Sequence, residues 1–126
     1  MKNKQIPFDF VLDYLYPKVP EVKPMFGCYA VYINEKIIFI LRNREEYPED
    51  NGVWLATTKE HHESLGKDFP SMRSIKAFGP GVSGWQVLPC SSDEFESSVI
   101  LACELVLKED SRIGKTPKSK YQKDLY

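Results

Sequence analysis

The chain is poor in the residues that most often carry chemistry. It has two histidines, His61 and His62, and three cysteines, Cys28, Cys90 and Cys103. Adjacent helical residues point about 100 degrees apart, so the histidines cannot form the i,i+4 pair of a helical metal site. Glu60 and Glu63 beside them read as a solvated polar face. No C-x-x-C pair is present, which argues against a cysteine zinc site, and an odd cysteine count at irregular spacing is not a disulfide framework. Cys90 sits just before a helix but has no histidine near it in sequence, and a nucleophile needs a base and a group to orient that base. These absences predict no catalytic residue, no metal and no cofactor.

Charge of one sign is missing too. Seventeen basic residues face eighteen acidic ones, for a net charge of −1 and a pI near 6.1. No global field draws the protein toward nucleic acid or an acidic membrane. No apolar run reaches membrane-spanning length. The start, Met1 to Pro7, lacks the apolar stretch of an export signal, which with unpaired thiols predicts a cytoplasmic location. The glycine-rich run Gly79-Pro80-Gly81-Val82-Ser83-Gly84 has no following Lys-Ser/Thr and no G-x-G-x-x-G register. It reads as a hairpin loop rather than a phosphate cradle.

What the chain does hold is core material. Its 126 residues are 42% apolar, with seven Phe, seven Tyr and two Trp, which is enough for one domain. Phe8 to Tyr16 predicts a first helix, with Phe8, Val11, Leu12 and Leu15 on one face and Pro17 as a stop. Val19 to Pro24 reads as a connector. Met25 to Ile33 and the wholly apolar Ile37 to Leu41 predict two strands around a tight turn at Asn34-Glu35-Lys36, the second of them central. A polar stretch from Arg42 leads through an Asn51-Gly52 turn to a third strand, Val53 to Thr57. Thr58 to Leu65 predicts a short helix, capped by Thr57 or Thr58 and ended by Gly66. Arg73 to Phe78 and Trp85 to Leu88 predict a second hairpin. Ser91 and Glu94 form an expected capping box for a last helix, with Phe95, Val99, Ala102, Cys103 and Val106 as its core stripe. Ile100, Leu101, Leu105 and Leu107 add apolar surface on its other faces, which implies burial on several sides or a partner chain.

The expected class is therefore α+β: an antiparallel sheet with flanking helices in the order α-β-β-β-α-β-β-α. Residues 1–110 form the domain. Residues 111–126 are expected to form a basic, flexible tail.

At this level the chain resembles the TfoX N-terminal domain family. The likeness runs over about residues 5 to 110. It rests on the leading amphipathic helix and on Lys23-Pro24-Met25-Phe26-Gly27-Cys28-Tyr29-Ala30-Val31-Tyr32, which is similar to the family's Met-Phe-Gly-Gly-Tyr-Gly strand. It rests also on Trp85-Gln86-Val87-Leu88-Pro89 ahead of the acidic helix start. Cys28 stands where a second glycine is usual. The resemblance implies an antiparallel sheet flanked by helices in the order read above. It also implies a link to bacterial gene regulation, since the family is named after a competence regulator. It brings no catalytic residues. Full-length regulators of that type add a helical domain, of which this sequence has no counterpart. The architecturally similar MmcQ/YjbR group has been linked to nucleic acid.

Three functional expectations follow. The first is a non-enzymatic interaction or regulatory module that binds a protein partner or itself through the sheet region of Met25, Phe26, Gly27 and Trp85. The competing structural expectation for the same residues is core filling by Met25 and Phe26, with Gly27 permitting close backbone approach or a bulge. The second expectation is nucleic-acid contact through Arg112, Lys115, Lys118, Lys120 and Lys123 of the tail, with Tyr121 and Tyr126 stacking on bases. The competing expectation there is a solubilising tail. The third is a small-ligand pocket between sheet and helix, lined by aromatics.

Overall fold

The computed structural model describes residues 5–77 and 84–116. The loop expected at Gly79 to Gly84 lies outside these residues except for Gly84, as do Lys118, Lys120, Tyr121, Lys123 and Tyr126.

The architecture is α+β, with an open antiparallel sheet of six strands in the order β1-β2-β3-β4-β6-β5. The strands are β1 (Glu21–Met25), β2 (Cys28–Ile33), β3 (Lys36–Arg42), β4 (Gly52–Leu55), β5 (Arg73–Ser74) and β6 (Gln86–Pro89). The helices are α1 (Phe10–Tyr14), α2 (His62–Asp68) and α3 (Phe95–Leu107). The order matches the expected one except for an added first strand.

That strand corrects two expectations. The segment ending in Pro24 is not a connector. It pairs with β2 from Glu21↔Tyr32 to Met25↔Cys28. Pro24 is tolerated there because β1 is an edge strand, where a missing N–H leaves no ladder bond unmade. Met25 to Ile33 is likewise not one strand. It is a hairpin that turns at Phe26 and Gly27, with φ of 52° and 79°. Positive φ at both central residues is what a type I′ turn requires, and its twist suits a two-residue hairpin. The Asn34-Glu35 turn between β2 and β3 has the same form, with φ of 52° and 69°.

The other boundary differences are small. Gly66 does not end α2 but sits inside it, and Thr58 makes no side-chain cap. Ser91 does not cap α3 either. Ser92 Oγ accepts the Glu94 N–H at 3.1 Å instead, and Glu94 occupies the cap position.

The sheet has two apolar faces because its central strands are apolar on both sides, as β3 shows with every residue from Ile37 to Arg42 buried. On one face Val31, Phe39, Leu41, Val53, Leu55 and Leu88 pack against Val11 of α1, Leu15 at its C-terminal cap, and Val99, Ala102 and Cys103 of α3. Phe95 closes that layer edge-on to Phe8, with ring centroids 5.2 Å apart. Ile100, Leu101, Leu105 and Leu107 of α3 are half-buried. Ile113, past the boundary expected at 110, is 2% exposed and belongs to the same core. The chain there is tied to the sheet: Gly114 N–H donates to Ala56 O at 2.7 Å, and Lys115 exchanges two backbone bonds of 2.9 Å with Ile37.

The opposite face carries a second, smaller cluster and no helix of the first layer. Lys23, Ala30, Ile40, Trp54, Val87 and Arg73 lie opposite one another in a single row across the sheet. Cys28, Ile37, Ala56 and Ile75 extend the row, with Met25, Tyr32 and Trp85 packed on it. The candidate site lies here.

Candidate functional site

A cleft of about 330 Å³ opens on this second face. Strand alternation builds it: Cys28, Ile40 and Trp54 come from three neighbouring strands and point the same way. Met25 and Phe26 form one rim, Trp85 and Ala77 the other, and Arg42 and Arg44 one end. Its size falls in the usual range of ligand clefts, and its walls are mostly apolar.

Phe26 is not the core residue that one expectation made it. It is 92% exposed at the hairpin tip, beside the cleft. Met25 is half-buried on the second cluster. Gly27 eases the turn on two counts. Its φ is positive, and a Cβ there would sit 1.8 Å from Arg44 Nη1, so the guanidinium lies over the turn. Where a close backbone approach or a bulge was expected at Gly27, the turn instead lies under the Arg44 side chain.

Arg42 is the unusual member. It is 4% exposed, yet it meets only neutral acceptors. Its guanidinium donates to Tyr47 O at 2.9 Å, Asn51 Oδ1 at 2.8 Å and Glu46 O at 2.6 Å. Among the described residues no carboxylate lies within ion-pair distance of it. Asn51 holds this corner together by also accepting the Arg44 N–H and donating to Arg44 O, each at 2.8 Å. Tyr47 turns the loop toward Arg42 with φ of 48°. Arg44 pairs at 3.1 Å with Glu46, on the surface. A bond from its own backbone first, and Arg44 second, hold the Glu46 carboxyl below its ordinary value. Burial pushes the Cys28 thiol up, against the pull of Arg42 and Arg44, so the thiol in the cleft stays protonated near neutrality.

The opposite wall is fixed by Asp50. Its buried carboxylate accepts the backbone N–H of Lys76 and of Ala77, both at 2.8 Å. Its own carbonyl accepts the Trp54 indole N–H at 2.8 Å. One residue thus locates Trp54 and Ala77 together.

Met25, Phe26 and Trp85 line the cleft together, and Gly27 sits next to it in the turn beneath Arg44. Arg112 and Lys115 lie elsewhere. Lys115 bridges Ile37, near the start of β3, whereas the cleft's Arg42 ends that strand. Arg112 is held inside the fold by Asp110 at 3.0 Å, Asp68 at 3.1 Å and Ser64 Oγ at 2.6 Å. The cleft is not the expected pocket between sheet and helix; a depression at that kind of place, lined by Ile33 and Ile38 of the sheet and Val106 of α3, has no aromatic in its lining among the described residues. That depression, of about 340 Å³, has its charges matched internally by Lys18 and Glu109, 3.5 Å apart.

Arg42, Arg44, Trp54, Cys28 and Ile40 were missed from sequence. A signal existed: period-2 alternation puts Ile40 and Arg42 on one face of β3, and Cys28 and Ala30 on one face of β2.

His61 lies 3.3 Å from Glu60, and His62 faces Gly84 O at 3.2 Å; neither lines the cleft. Among the described residues no three His, Cys, Asp or Glu side chains gather closely enough to hold a metal, and no helix is long and apolar enough to cross a membrane.

No family model matches the chain, and no curated protein or solved structure is significantly similar to it.

Proposed function

We propose that the protein is a non-enzymatic interaction module, of the TfoX N-terminal kind, that docks a segment of a partner protein on the cleft-bearing face of its sheet. Any regulatory role would then be exercised through that partner. The observation that carries this reading is Phe26: a large apolar side chain held 92% exposed, in a backbone conformation unfavourable to it, beside an aromatic cleft. Strain and exposure at one residue together favour a role in contact rather than in folding. Among the described residues the cleft's lining holds no carboxylate and no imidazole, and its thiol is held protonated, which favours binding over catalysis.

Selecting a random peptide library on the wild-type protein and re-measuring the winners on Phe26→Asp tests this. The expected result is at least a tenfold loss of binding with the melting temperature unchanged or raised, since Asp-Gly suits the same turn. Winners that bind both proteins equally would move the docking surface elsewhere. Self-association through the same face is the case in which the partner is a second copy, and light scattering on the two proteins separates it.

A further inference from the structure

We infer that the cleft recognises an acidic–aromatic peptide segment, an aromatic side chain entering between Met25, Trp54 and Trp85 with an adjacent carboxylate on Arg44 and the field of Arg42. This rests on the docking reading above and adds the chemistry of the partner.

Three features point to that ligand. The walls are aromatic and thioether, and such surfaces gain from an aromatic guest through ring packing and sulfur contacts. Met25 and Trp85 are half-buried and form opposite rims, so a planar group enters between them. The second feature is charge. Two guanidinium groups line one end, and among the described residues no carboxylate lines the cleft. A buried guanidinium without a carboxylate partner is costly, and an arriving anion offsets that cost in a poorly solvated place. Arg42 is fixed by its three neutral acceptors, so it supplies field rather than a moving contact. Arg44 is partly exposed and already holds a carboxylate, that of Glu46, at 3.1 Å. A guest carboxylate would take up or share that geometry. The third feature is the size of the charge. Two guanidinium groups against Glu46 leave one net positive charge at this end. That matches one carboxylate better than a doubly charged phosphate.

The chain offers a direct readout. It has two tryptophans, Trp54 and Trp85, and both line the cleft, so the two indole N–H signals of a proton–nitrogen spectrum report on occupancy. The probes are the capped peptide Ser-Ser-Phe-Glu-Ser-Ser, the same peptide with Gln for Glu, and the same peptide with Ala for Phe. Phenylpropionate, which carries the aromatic and the carboxylate without a peptide, is the fourth. The expected result is saturable movement of both indole signals and of the Phe26 and Gly27 amides by the first peptide. Binding should weaken at least fivefold with Gln and at least tenfold with Ala. Arg44→Gln, a change at a partly exposed side chain, should make the Glu and Gln peptides bind alike.

Equal binding of the Glu and Gln peptides in the cleft overturns the acidic half of the inference and leaves the docking reading standing. Equal binding of the Ala peptide overturns the aromatic half. Movement by phenylpropionate alone overturns the peptide assignment and the docking reading together, and makes the cleft a small-molecule site. No movement of either indole by any probe at millimolar concentration overturns the inference, while the library selection still decides the docking reading.

Discussion

Arg73 Nη1 lies 3.1 Å from Asp50 Oδ1, and the Asp50 side chain is wholly buried while that of Arg73 is 30% exposed. Arg73 also donates to Glu49 O, so the arginine clamps the short 3-10 helix Pro48–Asp50 to β5. A carboxylate with both oxygens engaged by an arginine and two backbone N–H groups can tolerate burial. Asp50→Asn replaces one acceptor oxygen with an NH2 donor that must face either the N–H groups of Lys76 and Ala77 or the Arg73 guanidinium, and it leaves Arg73 without its counter-charge. The expected loss is about 3 kcal/mol by urea unfolding, with a change in tryptophan fluorescence because Trp54 is held by the same residue. A loss under about 0.5 kcal/mol would mean that Asp50 does not organise this wall.

Three glycines separate three physical situations. At Gly52, φ is 143° and a Cβ would meet Leu88 O at 2.2 Å and Cys90 N at 2.9 Å, both backbone atoms of the paired strand. Gly52→Ala must displace the β4–β6 ladder and should cost about 3 kcal/mol. At Gly27 the obstacle is a movable arginine tip, so Gly27→Ala should cost only about 1 kcal/mol, mostly from its positive φ. Gly66 lies within α2 with nothing within 4 Å of an added Cβ, so Gly66→Ala should stabilise by about 0.5–1 kcal/mol. Melting curves of the three proteins check both the ranking and the change of sign.

Phe26 occupies the first central position of its turn, where Asn is preferred ahead of Gly27. Phe26→Asn creates the favoured Asn-Gly pair and removes an exposed aromatic. It should raise stability by about 0.5–1 kcal/mol and weaken peptide binding at the same time. Opposite signs in the two assays would mark Phe26 as kept for contact. A destabilised Phe26→Asn protein would mean that the ring supports the fold.

The apolar patterns made the class, the β2–β3–β4 meander and the core side of α3 readable, but not the pairing of β4 with β6 that joins the meander to the second hairpin. Ile37 to Leu41 could only be central, because a strand apolar on both faces has nowhere else to go. Two things were hidden by local signals that point the wrong way. Pro24 marks a connector unless its strand is known to be an edge, and only the sheet order decides that. Phe26 belongs in a strand by propensity, and its positive φ is imposed by Gly27 and the pairing of Met25 with Cys28. The cleft was unreadable for a related reason. Its residues come from separated segments, and Arg42 became part of a site only through Asn51 and the Tyr47 turn. The basic residues at 112 and 115 looked like a free tail because Ile113, alone among polar neighbours, carries no period.

The three thiols give a test of burial and of its pH consequence. Cys90 is exposed, Cys28 is 7% exposed and Cys103 is fully buried. Alkylation followed by mass mapping should label Cys90 first, then Cys28, and Cys103 only as the fold opens. Burial, and secondarily the Glu104 charge, push the Cys103 thiol from 9.0 up to about 12, and its Sγ lies 3.8 Å from Val11 O, to which the S–H donates. Above the unfolded value the unfolded chain releases this proton while the folded chain keeps it. The thiol's contribution to stability is therefore complete below pH 9.0 and declines as pH rises toward about 12. Cys103→Ala removes that decline. The stability gap between the parent and Cys103→Ala should shrink by about 2 kcal/mol between roughly pH 8 and pH 10.5. A gap independent of pH over that range would mean that the thiol ionises as readily in the fold as in the unfolded chain.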